Sequence, residues 1–293
     1  MIYDQPLYRP PSEADSLIFQ VTLGCSSDTC LFCLMYKGKQ FRVRSLEAIT
    51  RDVREMSLAE PYARRVFLAD GDALVMKTGT LLKVLALLRA SFPRLERITS
   101  YASPKNLLIK SVDELTRIRE AGLDLIYFGV ESGDPQTLAL VDKGATPDEM
   151  VEGCARAHEA GMSISVTVLL GLAGREGTAR HVAGTVDVLN RIKPAYASAL
   201  TLMMPFMDDY RRMMRERGGA WTPLNAVESL KEIRGIVAGL ELTGCTFRTN
   251  HASNYLPLKG TLSEDRKKLL TILDTAIAHP TTYPLRPEWS RGL

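Results

Sequence analysis

Six short apolar runs recur along the chain, each followed by a stretch with helical spacing. They are SLIFQVTL (16–23), RVFLAD (65–70), RITSYA (97–102), DLIYFGVE (124–131), SISVTVLLG (163–171) and YASALTLMM (196–204). Each is rich in Val, Ile, Leu or Thr and lacks a clean alternation with polar residues, the pattern of parallel strands buried on both faces. The segments between them carry helix punctuation. Ser111-x-x-Glu114 and Thr146-x-x-Glu149 read as capping boxes, and Pro147 suits a first helical position. Gly122 and Gly161 sit where a helix stops before the next strand. Six βα units without a composition break predict an α/β fold, a partial (βα)6 TIM-like barrel over residues 16–205, after an N-terminal segment 1–15. Right-handed crossovers then gather functional groups at the C-terminal ends of the strands.

Past the sixth strand the rhythm changes, and residues 206–293 read as a C-terminal extension that closes the barrel and contributes to the substrate site. MDDYRRMMRERGG and NAVESLKEIRGIVAGLEL are expected as helices, CTFRT as a short extra strand and NHASNYLPLKG as a loop. A last helix opens at Thr261-x-x-Glu264 and buries Leu269, Leu270, Leu273 and Ile277. The end of the chain, with Pro280, Pro284 and Pro287, is expected to dock as a tail.

With 45% hydrophobic and 24% charged residues in 293, disordered and fibrous classes are excluded. A net charge of +3 does not point to a nucleic-acid partner. The N-terminus shows no basic segment followed by an apolar one, and no apolar run is long enough to span a membrane. A cytoplasmic protein without a membrane partner is expected, and there clustered thiols stay reduced and serve as metal ligands more often than as disulfides.

Cys25, Cys30 and Cys33 stand at spacing C-x4-C-x2-C in LGCSSDTCLFC, a loop following the first strand. Zinc in a structural site normally takes four ligands, and no fourth Cys or His lies nearby. Cys154 shares an apolar helix face with Met150, Val151 and Ala157, and Cys245 precedes the short extra strand, so both read as structural. Three thiolates suit a 4Fe-4S cluster with one iron left open to a substrate or cofactor.

With these residues in view, the chain resembles the radical S-adenosylmethionine (radical SAM) superfamily. The usual loop there is C-x3-C-x2-C, so the extra residue between Cys25 and Cys30 is a departure. Phe32 matches the aromatic position packing near the adenine. In FLADGDAL, Asp70, Gly71 and Asp72 occupy the turn that receives the methionine ammonium, with Asp for the more usual Glu; a plain helix cap by Asp72 is the alternative. In YFGVESGD, Glu131 and Ser132 match the ribose-binding stretch, and Asp134-Pro135 starts the next helix. Lys143 falls where many members place a cation near the methionine carboxylate, the alternative being a solvated lysine. VLLGLAGREGTARH resembles the adenine-contacting turn, with Gly171, Leu172 and Gly174. Of Arg180 and His181, which open the following helix and can face cofactor or substrate, His181 is expected at the surface. The resemblance covers residues 16 to 205 and implies two cofactors, a 4Fe-4S cluster and S-adenosylmethionine. It also implies reductive cleavage to a 5′-deoxyadenosyl radical that abstracts hydrogen from a substrate, fed by an external donor of flavodoxin or ferredoxin type.

The substrate is less legible. No second cysteine cluster, cobalamin domain or RNA-binding module is visible. The stretch FRTNHASNYLPLKG concentrates Arg248, Asn250, His251, Ser253, Asn254, Tyr255 and Lys259, which suits recognition of a small polar molecule. A polar loop tying down the last helix is the alternative. Tyr101, Met203 and Met204 are expected to line the cavity or pack in the core. Two other classes stay open. An iron–sulfur electron carrier or cluster donor explains the cysteines but not the other motifs. A tRNA-base-modifying enzyme fits a barrel that admits a flipped nucleotide, with the weak net charge against it.

Overall fold

The computed structural model describes residues 1–203, 207–280 and 284–292. They fall into two compact units that interleave along the chain: residues 1–28, 33–128 and 152–164 form the first, and 29–32, 129–151 and 165 onward the second.

In the first unit lie β1 (Leu17–Gln20), β2 (Thr22–Leu23), β3 (Arg42–Val43), α1 (Leu46–Ala59) and β4 (Arg65–Ala69). They are followed by α2 (Thr78–Ser91), β5 (Arg97–Ala102), α3 (Pro104–Ile109), α4 (Val112–Glu120) and the start of β6 (Leu123–Glu131). β1, β4, β5 and β6 are neighbours in that order and all parallel, with Phe19 beside Leu68, Phe67 beside Thr99 and Tyr101 beside Tyr127. α2 buries Leu81, Val84, Leu85 and Leu88, one face at spacing i, i+3, i+4, i+7. Ser111 and Glu114 form the expected reciprocal box at the start of α4.

The first apolar run is two strands rather than one. Val21 still donates to Ala69 O at 2.6 Å, but Thr22 and Leu23 pair antiparallel with Arg42 and Val43 in a ribbon of their own. That ribbon is the neck of the cysteine loop, residues 24–41. Gly24 turns the chain out of it at φ 71°, and a Cβ there would press on Lys39 O at 2.9 Å. Only glycine fits that corner.

Next come α5 (Pro135–Leu140) and α6 (Pro147–Glu159). Pro147 begins α6 as expected, and Thr146 and Glu149 cap it reciprocally. The second unit holds most of β7 (Ser163–Leu170), then α7 (Gly174–Ile192), β8 (Tyr196–Thr201), α8 (Met207–Glu216), α9 (Ala226–Gly239), β9 (Thr246–Arg248), β10 (Lys259–Thr261) and α10 (Leu262–Ala278). β7, β8 and β9 are parallel neighbours, and β10 closes the edge antiparallel. Their two faces differ sharply. Val166, Val168, Leu170, Ala197, Ala199 and Phe247 are buried, while Thr167, Leu169, Tyr196, Ser198, Leu200 and Arg248 remain partly open.

Several expectations change here. β8 stops at Thr201, so Leu202 and Met203 lie outside it, and Met204 lies outside the described residues. The expected loop 250–260 ends in β10, where Lys259, Gly260 and Thr261 pair with β9. Thr261 caps nothing with its side chain; its N–H instead donates to Asp265 at 2.9 Å. The buried stripe of α10 is Leu262, Leu269, Leu273 and Ala276, leaving Leu270 and Ile277 half-covered. The tail docks as expected: Arg286 donates to the carbonyls of Ala252 and Asn254, and Arg291 to that of Ser253. The chain is thus α/β with a mostly parallel sheet, and among the described residues no helix is long and apolar enough to cross a membrane.

Candidate cluster and S-adenosylmethionine site

The first unit carries Cys25, Cys33, the turn after β4 and Tyr101. Asp70 is fully buried, and its carboxylate accepts from Gln20 Nε2 at 3.0 Å, Gly24 N at 3.0 Å and Lys39 Nζ at 2.7 Å. Gly24 and Lys39 bracket the cysteine loop, so Asp70 pins both ends of it to β4. Its oxygens are committed to the fold, which makes it a positioning residue rather than a cofactor contact. Gly71 leaves room for the Tyr36 ring and for Cys25 Cβ, which a Cβ would meet at 2.8 and 3.0 Å.

Asp72 differs from Asp70. It precedes a single 3-10 turn, Ala73–Val75, but its side chain does not cap it. Oδ2 accepts from Ser26 Oγ and Asn106 Nδ2, while Oδ1 is buried and has no partner among the described residues. Burial pushes its pKa up, opposed first by the hydrogen bond from Ser26. A buried carboxylate oxygen without a donor is the group an ammonium would complete. Tyr101 packs edge-on against Phe67, 5.1 Å between centroids, and Tyr127, 6.2 Å away.

The second unit carries Cys30, Phe32 and the ends of β6 and β7. Cys30 is buried, and its neighbours are sewn to the turn after α5: Leu31 N donates to Val141 O at 2.9 Å and Thr29 Oγ1 to Asp142 O at 3.2 Å. Phe32 packs on the apolar group of Val141, Leu172, Tyr210, Met214 and Trp221. Lys143 Nζ stands 5.7 Å from the Phe32 ring centre and 3.3 Å from Glu131 Oε1, so it is not a solvated lysine. Glu131 ends β6 at φ 62°, a left-handed backbone that costs a non-glycine residue about 1 kcal/mol or more. Burial raises its pKa and Lys143 opposes that.

Ser132 Oγ lies 2.8 Å from His181 Nδ1. His181 is fully buried, which overturns its expected place at the surface. Gly177, His181, Thr185, Val188 and Ile192 form the inward stripe of α7, a spacing already present in the sequence. Burial lowers the pKa of His181 to about 4, so the ring is neutral, and Nε2 has no partner among the described residues. Gly133 packs on the backbone of Gly184, where any side chain would overlap, and its N–H donates to Thr185 Oγ1 at 3.1 Å. Asp134 caps α5 through Thr137 N at 3.1 Å.

The turn after β7 is held by residues the sequence did not single out. Gly171 N donates to Glu232 Oε2 at 2.7 Å, and Trp221 Nε1 donates to Gly171 O at 3.0 Å. Gly171 O also accepts from Gly174 N at 3.1 Å, so both lone pairs of its carbonyl are in use and the turn offers a ligand its shape rather than that oxygen. Leu172 is buried core. Glu232, also bonded to Thr178 Oγ1 at 3.1 Å, has its pKa pushed up to about 7 by burial. The native state thus holds this proton more tightly than the unfolded chain, whose Glu titrates near 4.5. Stability contributed by the protonated form is full below that value and is lost as pH rises to about 7. Glu232→Gln should flatten the pH dependence of the urea midpoint across that window and raise stability at pH 8, by on the order of 3 kcal/mol at most. An unaltered pH profile would show that Glu232 is ionised throughout.

The loop after β9 divides. Arg248 lies over the Tyr196 ring at 5.4 Å and Asn250 is exposed. His251 Nδ1 accepts from Ser253 N at 3.1 Å, and its pKa is lowered by burial and by Arg286. Asn254 is fully buried and donates to Ala199 O at 2.7 Å and Thr249 O at 2.9 Å while accepting from Thr201 Oγ1 at 2.9 Å. Tyr255 bonds Glu288 and Arg291 of the tail, and its ring lies under the Arg291 guanidinium at 4.1 Å. Asn254 and Tyr255 are struts, because their polar atoms are already occupied. Asn254→Ala strands three polar groups and should cost on the order of 3 kcal/mol, read as a lower denaturation midpoint. An unchanged midpoint would return Asn254 to the substrate.

Cys154 and Cys245 are buried thiols, that of Cys245 pushed up to about 11 by burial, and both behave as core residues. Among the described residues no three His, Cys, Asp or Glu side chains stand in metal-holding geometry, so the ligand set rests on residue type and spacing. Their chemistry fits a cluster: three thiols in one loop whose ends are fixed.

An uncharacterized methyltransferase, PH0819 of Pyrococcus horikoshii, is 25% identical over 202 residues, 66% of this chain and 41% of that protein. Coproporphyrinogen III oxidase (HemN) of Escherichia coli superposes with a TM-score of 0.56 at 16% identity, over 76% of this chain and 51% of its own. Methylornithine synthase (PylB) does so with a TM-score of 0.53 at 14% identity, over 88% and 80%. The chain thus spans about half or less of the first two proteins, and the structural likenesses speak for the fold alone. The Radical SAM superfamily model matches residues 19–182, more than half of the 293, and the chain belongs to that superfamily.

Proposed function

We propose that this protein cleaves S-adenosylmethionine reductively at a 4Fe-4S cluster and directs the radical at a small polar substrate. Asp72 carries the reading: a buried carboxylate oxygen without a donor, in the turn where the superfamily receives the methionine ammonium. When bound, the cluster supplies the electron and the open iron, and S-adenosylmethionine supplies the 5′-deoxyadenosyl radical.

The chain's own residues bind and orient. Cys25, Cys30 and Cys33 would hold the cluster, in a loop whose ends Asp70 fixes. Asp72 takes the ammonium. Glu131, fixed by Lys143, and Ser132, fixed by His181, offer oxygens to ribose hydroxyls. Phe32 gives an apolar wall beside the adenine, and Gly171, at φ 77°, keeps the turn free of a side chain. Radical SAM enzymes act on small molecules and draw electrons from external donors. Here a flavodoxin or ferredoxin would serve.

Anaerobic reconstitution with iron and sulfide, then dithionite and S-adenosylmethionine, should yield 5′-deoxyadenosine. Protein that takes up iron yet makes none would be a cluster carrier instead.

A further inference from the structure

The partly open face of β7, β8 and β9 carries one unbalanced charge. Thr167, Ser198 and Arg248 stand side by side in register across the three parallel strands, Arg248 at the C-terminal end of β9. Tyr196 lies on the same face and carries the Arg248 guanidinium over its ring at 5.4 Å. Among the described residues, Arg248 donates no side-chain hydrogen bond and has no carboxylate within 4.0 Å, and its Nε is sealed from solvent without a partner. Arg44 and Arg97, also half-buried, each hold a carboxylate, Asp52 at 2.6 Å and Glu13 at 2.6 Å, and Arg266, which holds none, donates to the carbonyl of Ala238. A guanidinium that has lost water and gained neither carboxylate nor carbonyl is costly unless something else completes it.

We infer that the substrate carries an oxyanion, a carboxylate or a phosphate, received by Arg248 with the hydroxyls of Thr167 and Ser198 beside it. This rests on the proposed enzyme reading, since it takes the partly open face of these strands as the substrate face. A planar fork over an aromatic ring is pre-oriented for two parallel N–H···O bonds, which a lysine could not supply. Neither hydroxyl makes a side-chain hydrogen bond among the described residues, so both are available to the same group.

The test uses the reconstituted full-length protein, with inorganic phosphate and succinate as probes. Phenylglyoxal modification of Arg248, followed by peptide mass spectrometry, should slow about tenfold or more when the matching anion is present. The probe that protects tells phosphate from carboxylate. The same anion should raise the melting temperature of the wild type and not of Arg248→Gln, with Arg248→Lys intermediate. If Arg248→Gln does not fold, protection of the wild type still decides. Modification that neither anion slows, in protein that makes 5′-deoxyadenosine, overturns the inference alone. Protection in protein that makes none leaves an anion site standing and removes only the enzyme reading.

Discussion

Protein in which Cys25, Cys30 and Cys33 are all alanine should stay colourless after anaerobic reconstitution and hold no cluster iron, whereas Cys154→Ala and Cys245→Ala should keep both. The thiolate is the ligand form, and thiols sealed in apolar surroundings resist ionisation. Burial raises the pKa of Cys154 and Cys245 alike, which marks them as packing groups. The three loop cysteines stand elsewhere, in a segment tied at its neck by the β2–β3 ribbon and by Asp70. Cluster absorbance and iron per chain are the measurements. Iron that persists in the triple variant would remove the ligand assignment, and iron lost with Cys154 or Cys245 would show that the set is larger.

The neck itself was not legible in the sequence. β2 and β3 are two residues each, too short for any period, and the exposed Arg42 and Val43 resemble loop. Pairing between residues so far apart leaves no local mark. The parallel strands were legible, because each is long enough to show its apolar composition, and Ser111 with Glu114 wrote the start of α4 into its own segment. His181 was misread for a different reason. Its stripe on α7 is present in the sequence, but a single histidine marks neither surface nor core until the inward face of the helix is known. With Asn254 and Tyr255 the residue types correctly announced hydrogen bonding. They did not say with what, because the partners lie on β8 and in the tail. Glu232 and Trp221 carry no motif at all; only the fold brings them to Gly171.

The largest effect on cofactor affinity should come from Asp72→Asn. The amide oxygen can keep the bonds from Ser26 and Asn106, so the turn need not move. What changes is the position of Oδ1, where an acceptor with no partner becomes an NH2 group facing an incoming ammonium. Loss of a charge-assisted contact is about 1.5–3 kcal/mol, so S-adenosylmethionine should bind up to about a hundredfold more weakly. Iron content should stay at the wild-type level, since the bonds from Ser26 and Asn106 are kept. Stability should move the opposite way. Burial raises the folded-state pKa of Asp72, so ionising it costs stability as pH rises above the unfolded value, and the neutral amide escapes that cost. The variant should therefore melt higher than the wild type at neutral pH while binding its cofactor less well, as expected where a strained charge is kept for function. In the wild type, affinity should rise with pH through the Asp72 titration, and in the variant that slope should vanish. Calorimetric titration at several pH values reads both. Equal affinity in the two proteins would make Asp72 a buried structural acid and take the ammonium site elsewhere.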